Sequence, residues 1–500
     1  MDLQTFVFEN QPDIVVTQNV LPICELARGM EEAGEFDRAA EILQPLWKGL
    51  FHRPEIEGLN DEAKAELLLR TGTLTGWLGS AKQMLGAQEI AKDLISESAA
   101  IFEMLGMTEK VAEARVDLST CYWREGALDE ARVTLRHVFD SLGDKQSEQT
   151  LRALLNSIII EKVATRGRDA LRICSKAAPL FELSSNHALK GKFHNAHATL
   201  LRSLGTAEQR EDYIDRALVE YVAASYHFEQ AGTRRFQARV ENNTGFLFAS
   251  IGRFSEAQQH LTRARSLHLS VGDHGGAAGA EDSRAQAFLL EGKYDQAERT
   301  ARSAVRSLKR GGEQALLAEA LTTHARALAR LKQSNMARTT LDQAIEIAQT
   351  AGSPDAAGIA AVTAIEELNS YLTANALQEY YRTAESLLAN SQDRSLQTRL
   401  GECARCVLTI AANEDTSESS DAAVPVSMPP GFSLDAEVLR YEGNLIRKAL
   451  EESGGSVTRA ARLLGVTHQG LAFILNGRHS DLLAIRTPVK RRRRSIIRYH

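Results

Sequence analysis

The sequence contains little of what marks several classes of protein. Its 500 residues include only 5 cysteines, 10 prolines and 6% aromatic residues. An odd number of cysteines scattered over a long chain argues against a disulfide framework and favours a reducing compartment. No apolar run approaches the roughly 18 residues needed to cross a bilayer, and the N-terminal segment does not resemble a secretory signal. We therefore expect a cytoplasmic protein that does not engage a membrane.

Motifs for catalysis or metal binding are also missing. The sequence contains no P-loop, and no Ser/His/Asp or paired-carboxylate arrangement emerges within any motif. Cys403 and Cys406 form a single CxxC without the second pair that zinc needs, which favours buried thiols on a helical turn. The histidines of residues 187–197 could share one helix face, but no carboxylate partner for them is evident. We expect neither an enzyme nor a bound cofactor.

The net charge of −6 hides an uneven distribution. Residues 433–500 hold 13 Lys and Arg against 6 Asp and Glu, a local net charge of +7, whereas residues 1–432 carry −13. A basic tail on an acidic body indicates that the two parts meet different partners. Because an acidic surface repels nucleic acid, the basic part is the candidate for binding phosphates.

A short phrase recurs through the first 400 residues: glycine, an aromatic residue two positions later, and alanine three positions after that. Clear copies begin at Gly34, Gly252 and Gly292. The alanine recurs every 40 residues at Ala217, Ala257, Ala297 and Ala337. Because the flanking apolar residues follow helical spacing, each copy predicts a helix hairpin whose glycine ends the first helix. One hairpin cannot bury its own apolar face, so neighbouring hairpins must stack.

This pattern resembles tetratricopeptide repeats (TPR) in a form with longer loops. We predict an all-α fold in which residues 1–410 form a TPR-type α-solenoid of about eight or nine hairpins. The Trp expected early in the first helix is absent from the clear copies, and the copy near 150–180 lacks the glycine–aromatic corner. A different α-solenoid or an irregular helical domain are the alternatives.

The TPR resemblance implies a concave groove that binds a protein or peptide partner. First-helix residues expected to face this groove are Arg239, Asn242, Phe246, Asp282, Gln286, Thr322, Arg326 and Arg330. The alternative for each is an ordinary solvated side chain.

A different composition begins after the repeats. Residues 411–432 contain four acidic residues, no basic ones and three prolines, which predicts a flexible acidic linker. Residues 433–482 then read as three helices, with glycines 454 and 455 after the first, Gly465 at a tight turn, and Thr467 capping the third. This order and spacing predict a small helix-turn-helix domain, followed by a basic arm at 483–500.

The helix-turn-helix segment resembles the Fis-type DNA-binding domain at the C-terminus of NtrC-like regulators. The residues that carry the resemblance include Ala460-Ala461, Leu463-Leu464-Gly465-Val466 and Leu471. His468 stands where that family usually has Arg, and Gln469-Gly470 where Ser-Thr is common, so no base specificity is transferred. The ATPase of NtrC-like activators is absent, and repeats stand in its place.

The resemblance places a recognition helix after Thr467. Expected DNA contacts come from Arg459, Arg462, Thr467, His468, Gln469, Gly470, Phe473, Asn476 and Arg478 and, in the arm, from Lys490, Arg491, Arg492, Arg493 and Arg494. In this hypothesis Gln469 reads adenine, Phe473 touches a thymine methyl or packs in a dimer, and the arginines hold phosphates. The alternative for each is a surface side chain that makes no contact, and for the arm a merely solvated tail.

Together these patterns predict a bacterial transcription regulator. Its helix-turn-helix domain would bind double-stranded DNA as a homodimer paired through helix 434–452, and its TPR array would bind a protein or peptide. The alternative function is a TPR scaffold or adaptor with a basic tail and no sequence-specific regulation; a TPR-bearing enzyme is a remote third.

Overall fold

The structure is a computed structural model. It describes residues 20–485 except 82, 83, 85, 144, 312, 390, 392, 393 and 419–432. Every regular element in this described part of the chain is helical. The chain divides into two compact units, Met1–Asp415 and Thr416–His500.

The first unit is a series of antiparallel helix hairpins. Its helices are α1 Val20–Ala33, α2 Phe36–Leu43, α3 Asp61–Ala81, α4 Ala87–Met104, α5 Thr108–Arg124, α6 Leu128–Leu142, α7 Glu148–Val163, α8 Gly167–Leu183, α9 His187–Glu208, α10 Glu211–Gln230, α11 Arg234–Ser250, α12 Phe254–Ser270, α13 His274–Glu291, α14 Tyr294–Gly311, α15 Gln314–Arg330, α16 Ser334–Thr350, α17 Pro354–Leu368, α18 Ala374–Leu388 and α19 Arg394–Glu418. Consecutive helices pair, so the predicted all-α solenoid is confirmed.

The 40-residue repeat has a direct structural meaning. The four repeating alanines, from Ala217 to Ala337, are fully buried where the second helix of each hairpin crosses the first. The corner glycines Gly34, Gly252 and Gly292 have φ of 78°, 78° and 80°, a left-handed conformation that glycine adopts at low cost. Lys332 takes the same conformation, with φ of 61°, in the repeat that lacks a glycine.

Small residues set the distance between paired helices. A Cβ atom added to Gly245 would lie 2.6 Å from Cγ of Leu261, closer than side chains can pack. Ala285 and Ala325 occupy the same place in the next two hairpins and are fully buried. A larger residue at these positions would force the hairpin open, which explains how a chain with few aromatic residues builds a dense core.

The N-terminal hairpin lies against helices far along the chain. A guanidinium nitrogen of Arg235, in α11, donates to the backbone oxygen of Gly34 at 2.7 Å. The Nζ atom of Lys192, in α9, donates to the backbone oxygen of Glu32 at 3.5 Å. The ring of Phe236 also packs over Gly34. Helices α1 to α11 therefore close on themselves and enclose a chamber.

The second unit contains three α-helices, α20 Leu434–Glu452, α21 Val457–Leu463 and α22 His468–Asn476, followed by a 3-10 turn at Ser480–Ile485. Their small apolar core is formed by Ile446, Ala449, Leu450, Val457, Ala460, Ala461, Leu471, Leu475 and Leu482. Val466, one of the residues that carry the family resemblance, lies outside this core and is 43% exposed.

The boundary between the units lies close to the segment assigned to the linker. Helix α19 continues to Glu418, past residue 411 where the linker was expected to begin. The rest of that segment, 419–432, lies outside the described residues, as do residues 486–500 of the basic arm.

Candidate functional site

The turn between α21 and α22 depends on one glycine. Gly465 has φ of 67°, and the backbone N–H of Val466 donates to the oxygen of Ala461 at 2.9 Å. The hydroxyl oxygen of Thr467 then accepts from the N–H of Gly470 at 3.1 Å and caps α22. Together these contacts fix the start of α22 and the direction of its first turn.

Helix α22 presents polar side chains to solvent along its length. His468, Gln469 and Asn476 are exposed, Gly470 is partly buried, and Phe473 is 81% exposed. The side chains of His468, Gln469 and Asn476 make no hydrogen bond within the described residues. A side-chain amide such as that of Gln469 can donate and accept at once, which is the pattern that an adenine edge requires.

The arginines predicted to contact phosphate differ in their surroundings. Arg459 and Arg462 lie exposed on α21, and no ion pair to them is found in the described part of the chain. Arg478 instead donates to the carboxylate of Glu442 at 2.6 Å, and His479 lies 2.9 Å from the other oxygen of that carboxylate. Desolvation opposes ionisation of Glu442, but the hydrogen bonds from His479 and Arg478 outweigh it and lower its pKa. Lys490 and Arg491–Arg494 lie outside the described residues.

One face of α20 exposes apolar side chains. Val438, Tyr441 and Leu445 are 57%, 68% and 44% exposed and follow one another at helical spacing. The opposite face, which includes Ile446 and Leu450, is buried in the core of the unit. An exposed apolar row on a helix in so small a unit is typical of a surface that meets another chain.

The residues predicted to face the groove fall into two sets. Arg239 lines the chamber, next to the ring of Phe236. Asn242 has a buried amide oxygen without a hydrogen-bond partner in the described chain, and Phe246 lies 5.4 Å from the guanidinium of Arg202.

The other predicted groove residues lie in α13 and α15, and most of them bond to neighbouring residues of the solenoid. Asp282 is buried and accepts from Gln286 at 2.8 Å, and burial raises its pKa to about 6. The hydroxyl of Thr322 donates to the oxygen of Ala318 at 2.9 Å. Arg326 and Arg330 pair with Glu367 at 3.6 and 2.7 Å.

The chamber enclosed by α1 to α11 has a volume of about 370 Å³. Its walls combine five aromatic side chains with many charged ones; the aromatic set is Phe36, Trp77, Trp123, Phe228 and Phe236. The volume lies within the range of ligand pockets, which are mostly apolar with a few placed polar groups. Apart from Arg239, none of these lining residues belongs to the set predicted from the sequence, because they come together only when distant repeats meet.

Charged residues on one wall form a buried network. Arg70 donates to Glu31 and to Glu113, both at 2.6 Å, and each of these three side chains is less than a tenth exposed. Desolvation opposes ionisation of Glu113, but Arg70, Arg152 and Arg28 outweigh it and lower its pKa to about 2. Burial raises the pKa of Glu31 to about 7 although Arg70 opposes that shift. The network therefore holds one firmly ionised carboxylate and one that takes up a proton near neutral pH.

Histidines in α9 and α10 form a second polar cluster. His194 and His197 lie 2.7 and 3.1 Å from the two oxygens of Glu220, so a carboxylate partner exists although the sequence did not indicate one. The ring nitrogens of His187 and His227 are 2.9 Å apart. No group of three or more His, Cys, Asp or Glu among the described residues is arranged to hold a metal ion.

Comparisons with known proteins agree with both units. Residues 440–472 match a family described as bacterial regulatory protein, Fis family. The chain is similar to a solved Rap protein complexed with competence and sporulation factor, at 15% identity and a TM-score of 0.50, over 77% of this chain and 99% of that one. The match and the likeness confirm the Fis-type helix-turn-helix and the TPR-like solenoid.

Two further solved structures are similar at lower TM-scores. Yeast Tom70 is 11% identical with a TM-score of 0.45, covering 80% of this chain and 84% of its own. A STAND protein with a tetratricopeptide repeat sensor from Pyrococcus horikoshii is 13% identical with a TM-score of 0.44, covering 82% and 65%. No curated protein sequence matches this chain. Among the described helices, none is both long enough and apolar enough to span a membrane.

Proposed function

We infer that this chain is a bacterial transcription regulator that acts in the cytoplasm on the nucleoid. Its Fis-type unit binds double-stranded DNA through α22, and its solenoid binds a protein or peptide. The observation that carries the proposal is the capped α22, whose exposed Gln469, His468 and Asn476 make no hydrogen bond to any part of the chain that the structure describes. The family match at 440–472 supports the same conclusion.

DNA binding by a dimer is supported by the exposed row Val438, Tyr441 and Leu445 on α20. Burying such a row between two copies removes apolar surface from water and sets two α22 helices at a fixed separation. Two recognition helices would then read two half-sites on one face of the duplex. Binding of two chains per DNA fragment is the expected stoichiometry.

Peptide or protein binding by the solenoid is supported by the chamber and its mixed apolar and charged walls. The Rap protein, which is similar in fold, is seen in complex with competence and sporulation factor. Occupation of the chamber would alter the contacts that close α1 against α11, and the unit that carries α22 follows in the same chain.

The test is fluorescence anisotropy of the full chain on a pool of genomic fragments over a salt series. We expect the full chain to select a subset of fragments whose binding survives rising salt. Replacing Gln469 by Ala should weaken binding to those fragments by about 5- to 150-fold, which corresponds to one lost bidentate contact, and change nonspecific binding little. The control is Gln259→Ala on the exposed surface of α12, which should change neither.

Two outcomes would contradict this proposal. Equal weakening on all sequences by Gln469→Ala would remove its base-reading role. Indiscriminate binding that collapses with salt would leave the basic tail as an electrostatic anchor, and the chain would be better described as a TPR scaffold or adaptor.

A further inference from the structure

The chamber is enclosed because α9 and α11 contact the end of α1, the first helix of the solenoid that the structure describes. The backbone oxygens of Glu32 and Gly34, at the end of α1, accept from Lys192 and Arg235 across the opening. These contacts join residues 160 and 201 positions apart in the sequence. A molecule inside therefore contacts α1, α5, α7, α9 and α11 together, which is the geometry of a binding site and not of a shallow groove.

The arginines on the wall built by α1, α3, α5 and α7 are paired with carboxylates. Arg70 pairs with Glu31 and Glu113, and Arg152 pairs with Asp117 at 2.6 Å. Arg28 lies 3.0 Å from Glu32, 3.6 Å from Glu113 and 3.5 Å from Glu148. Each of these three arginines has at least one carboxylate. The remaining cation of this wall, Lys162 of α7, donates to the hydroxyl oxygen of Thr199 at 3.3 Å and forms no ion pair with a carboxylate of the described residues.

The wall built by α9 and α11 does not balance its charges. Lys192 and Arg239 both line the chamber, and no carboxylate of the described residues forms an ion pair with either of them. Both cations lie near the ring of Phe236, with Nζ of Lys192 4.9 Å and Cζ of Arg239 5.8 Å from its centroid. Glu32 and Glu148 attract Lys192, and Asp273 attracts Arg239, only from a distance.

The surroundings of these two cations oppose their charge. Desolvation, together with Arg152, lowers the pKa of Lys192 to about 8. Desolvation also lowers the pKa of Arg239, and Arg235 adds to that shift. Unpaired cations in a half-enclosed site are costly unless an anion joins them. A carboxylate between Lys192 and Arg239 would offset the cost of burying both positive charges.

Side-chain amides in the same chamber suit a peptide. The amide nitrogen of Asn156 donates to the oxygen of Val116 at 3.2 Å, and its own oxygen makes no hydrogen bond within the described residues. The amide oxygen of Asn195 accepts from Asn243 at 3.1 Å, and its nitrogen is likewise unused there. One free acceptor and one free donor are what a backbone N–H and C=O require.

We propose that the chamber binds a short peptide whose carboxylate, from an acidic side chain or the C-terminus, sits between Lys192 and Arg239 over the ring of Phe236. The aromatic side chains of the chamber then cover the apolar part of the peptide. This inference rests on the peptide-binding part of the proposed function and adds the charge that the peptide must carry.

The experiment uses the full chain and a library of N-acetylated random pentapeptides in two matched forms. In one form the acidic residues and the C-terminal carboxylate are free; in the other they are replaced by their amides. Peptides retained by the protein are identified by mass spectrometry and measured individually by calorimetry. Lys192→Met, Arg239→Met and the control Lys176→Met, an exposed lysine of α8, are compared with the unchanged chain.

We expect retention of free-carboxylate peptides only. Lys192→Met and Arg239→Met should each weaken their binding at least about tenfold, the effect of losing one hydrogen bond to a charged group. The melting temperature of the unliganded chain should change little in Lys192→Met, because the substitution removes an unpaired cation together with the 3.5 Å contact to the backbone oxygen of Glu32. Lys176→Met should change neither quantity.

Three outcomes would overturn the inference. The first is equal affinity for the carboxylate and amide forms. The second is a lower melting temperature in Lys192→Met with unchanged affinity, which would give Lys192 a purely structural role. The third is no retained peptide from a chain that still selects DNA, which would leave the DNA-binding proposal intact. Conversely, suppose that the chain binds acidic peptides without selecting any particular DNA. That result would contradict the proposed transcription regulator but would agree with this peptide site.

Discussion

The solenoid and the helix-turn-helix unit leave charged groups unpaired in different places. In the solenoid, the curved stack of hairpins turns the polar residues of several repeats toward a common chamber, where most of them meet an opposite charge. In the small unit, the buried side chains are apolar except Ser453 and His479, and His479 pairs with Glu442, which is 26% exposed. Arg459, Arg462 and Gln469 face outward. Polar groups in the first unit are therefore part of its stability, whereas in the second they are available for binding.

This difference follows from size. A unit of three short helices buries so little that an ion pair inside it could not recover the cost of its desolvation. A closed turn of solenoid has an interior large enough to bury several charged side chains that pair with one another, such as Arg70 with Glu31 and Glu113. Lys192 and Arg239 then differ from the facing wall, where each arginine that lines the chamber is paired with a carboxylate.

Replacing Arg70 should have the largest effect on stability of the changes considered, and it tests whether the polar groups of the solenoid stabilise its fold. Arg70→Met would leave the buried carboxylates of Glu31 and Glu113 without their shared cation, and should lower the free energy of unfolding by about 3–5 kcal/mol. The control is Arg399→Met, which removes a pair to Glu366 at 2.8 Å whose side chains are 31% and 35% exposed. That change should cost less than about 1 kcal/mol. Urea unfolding followed by circular dichroism measures both, and similar losses would show that the chamber network is as hydrated as the surface.

The pH dependence of stability tests the same network through Glu31. Its pKa in the folded chain, about 7, lies above the ordinary value of 4.5, so the folded state binds its proton more tightly than the unfolded state does. This group therefore lowers stability as pH rises from 4.5 to 7, by at most about 1.4 kcal/mol for each pH unit.

Glu31→Gln should remove that loss. The free energy of unfolding of this variant should approach that of the unchanged chain near pH 4.5 and exceed it by a growing amount up to pH 7. Glu25→Gln, on the exposed face of the same helix, is the control variant measured over the same pH range. A constant difference for Glu31→Gln would mean that Glu31 stays ionised in the folded state.

Replacing Gly465 should have the smallest effect on stability, and that effect should be confined to the second unit. A Cβ atom there would meet nothing within 4 Å, but φ of 67° is unfavourable for alanine, so Gly465→Ala should cost about 1 kcal/mol. Hydrogen exchange of residues 457–476 should become faster while exchange in the solenoid stays the same.

The comparison for Gly465 is Gly401→Ala, within helix α19, where the added Cβ also meets nothing. Because alanine is the better helix former, that variant should be slightly stabilised. Unchanged exchange in Gly465→Ala would show that the turn between α21 and α22 relaxes without cost.

Much of the fold could be read from local spacing. The interval of 40 residues between Ala217, Ala257, Ala297 and Ala337 corresponds to one hairpin, and all four are buried. The corner glycines and Gly465 have the left-handed φ that their positions predict. Such features depend on neighbours within a few helical turns, so a pattern in the sequence is enough to find them.

The contacts that form the candidate sites could be predicted from the sequence only in part. The chain alone determined that helices pair, where hairpins turn and which short segment resembles a Fis-type DNA-binding unit, because backbone propensity and helical periodicity act over short distances. Only the tertiary structure decided that Arg70 meets Glu31 and Glu113, that Glu220 lies beside His194 and His197, and that the end of α1 closes against α11. These contacts depend on the small rotation between successive hairpins summed over a whole turn of the solenoid, a quantity that no single repeat encodes.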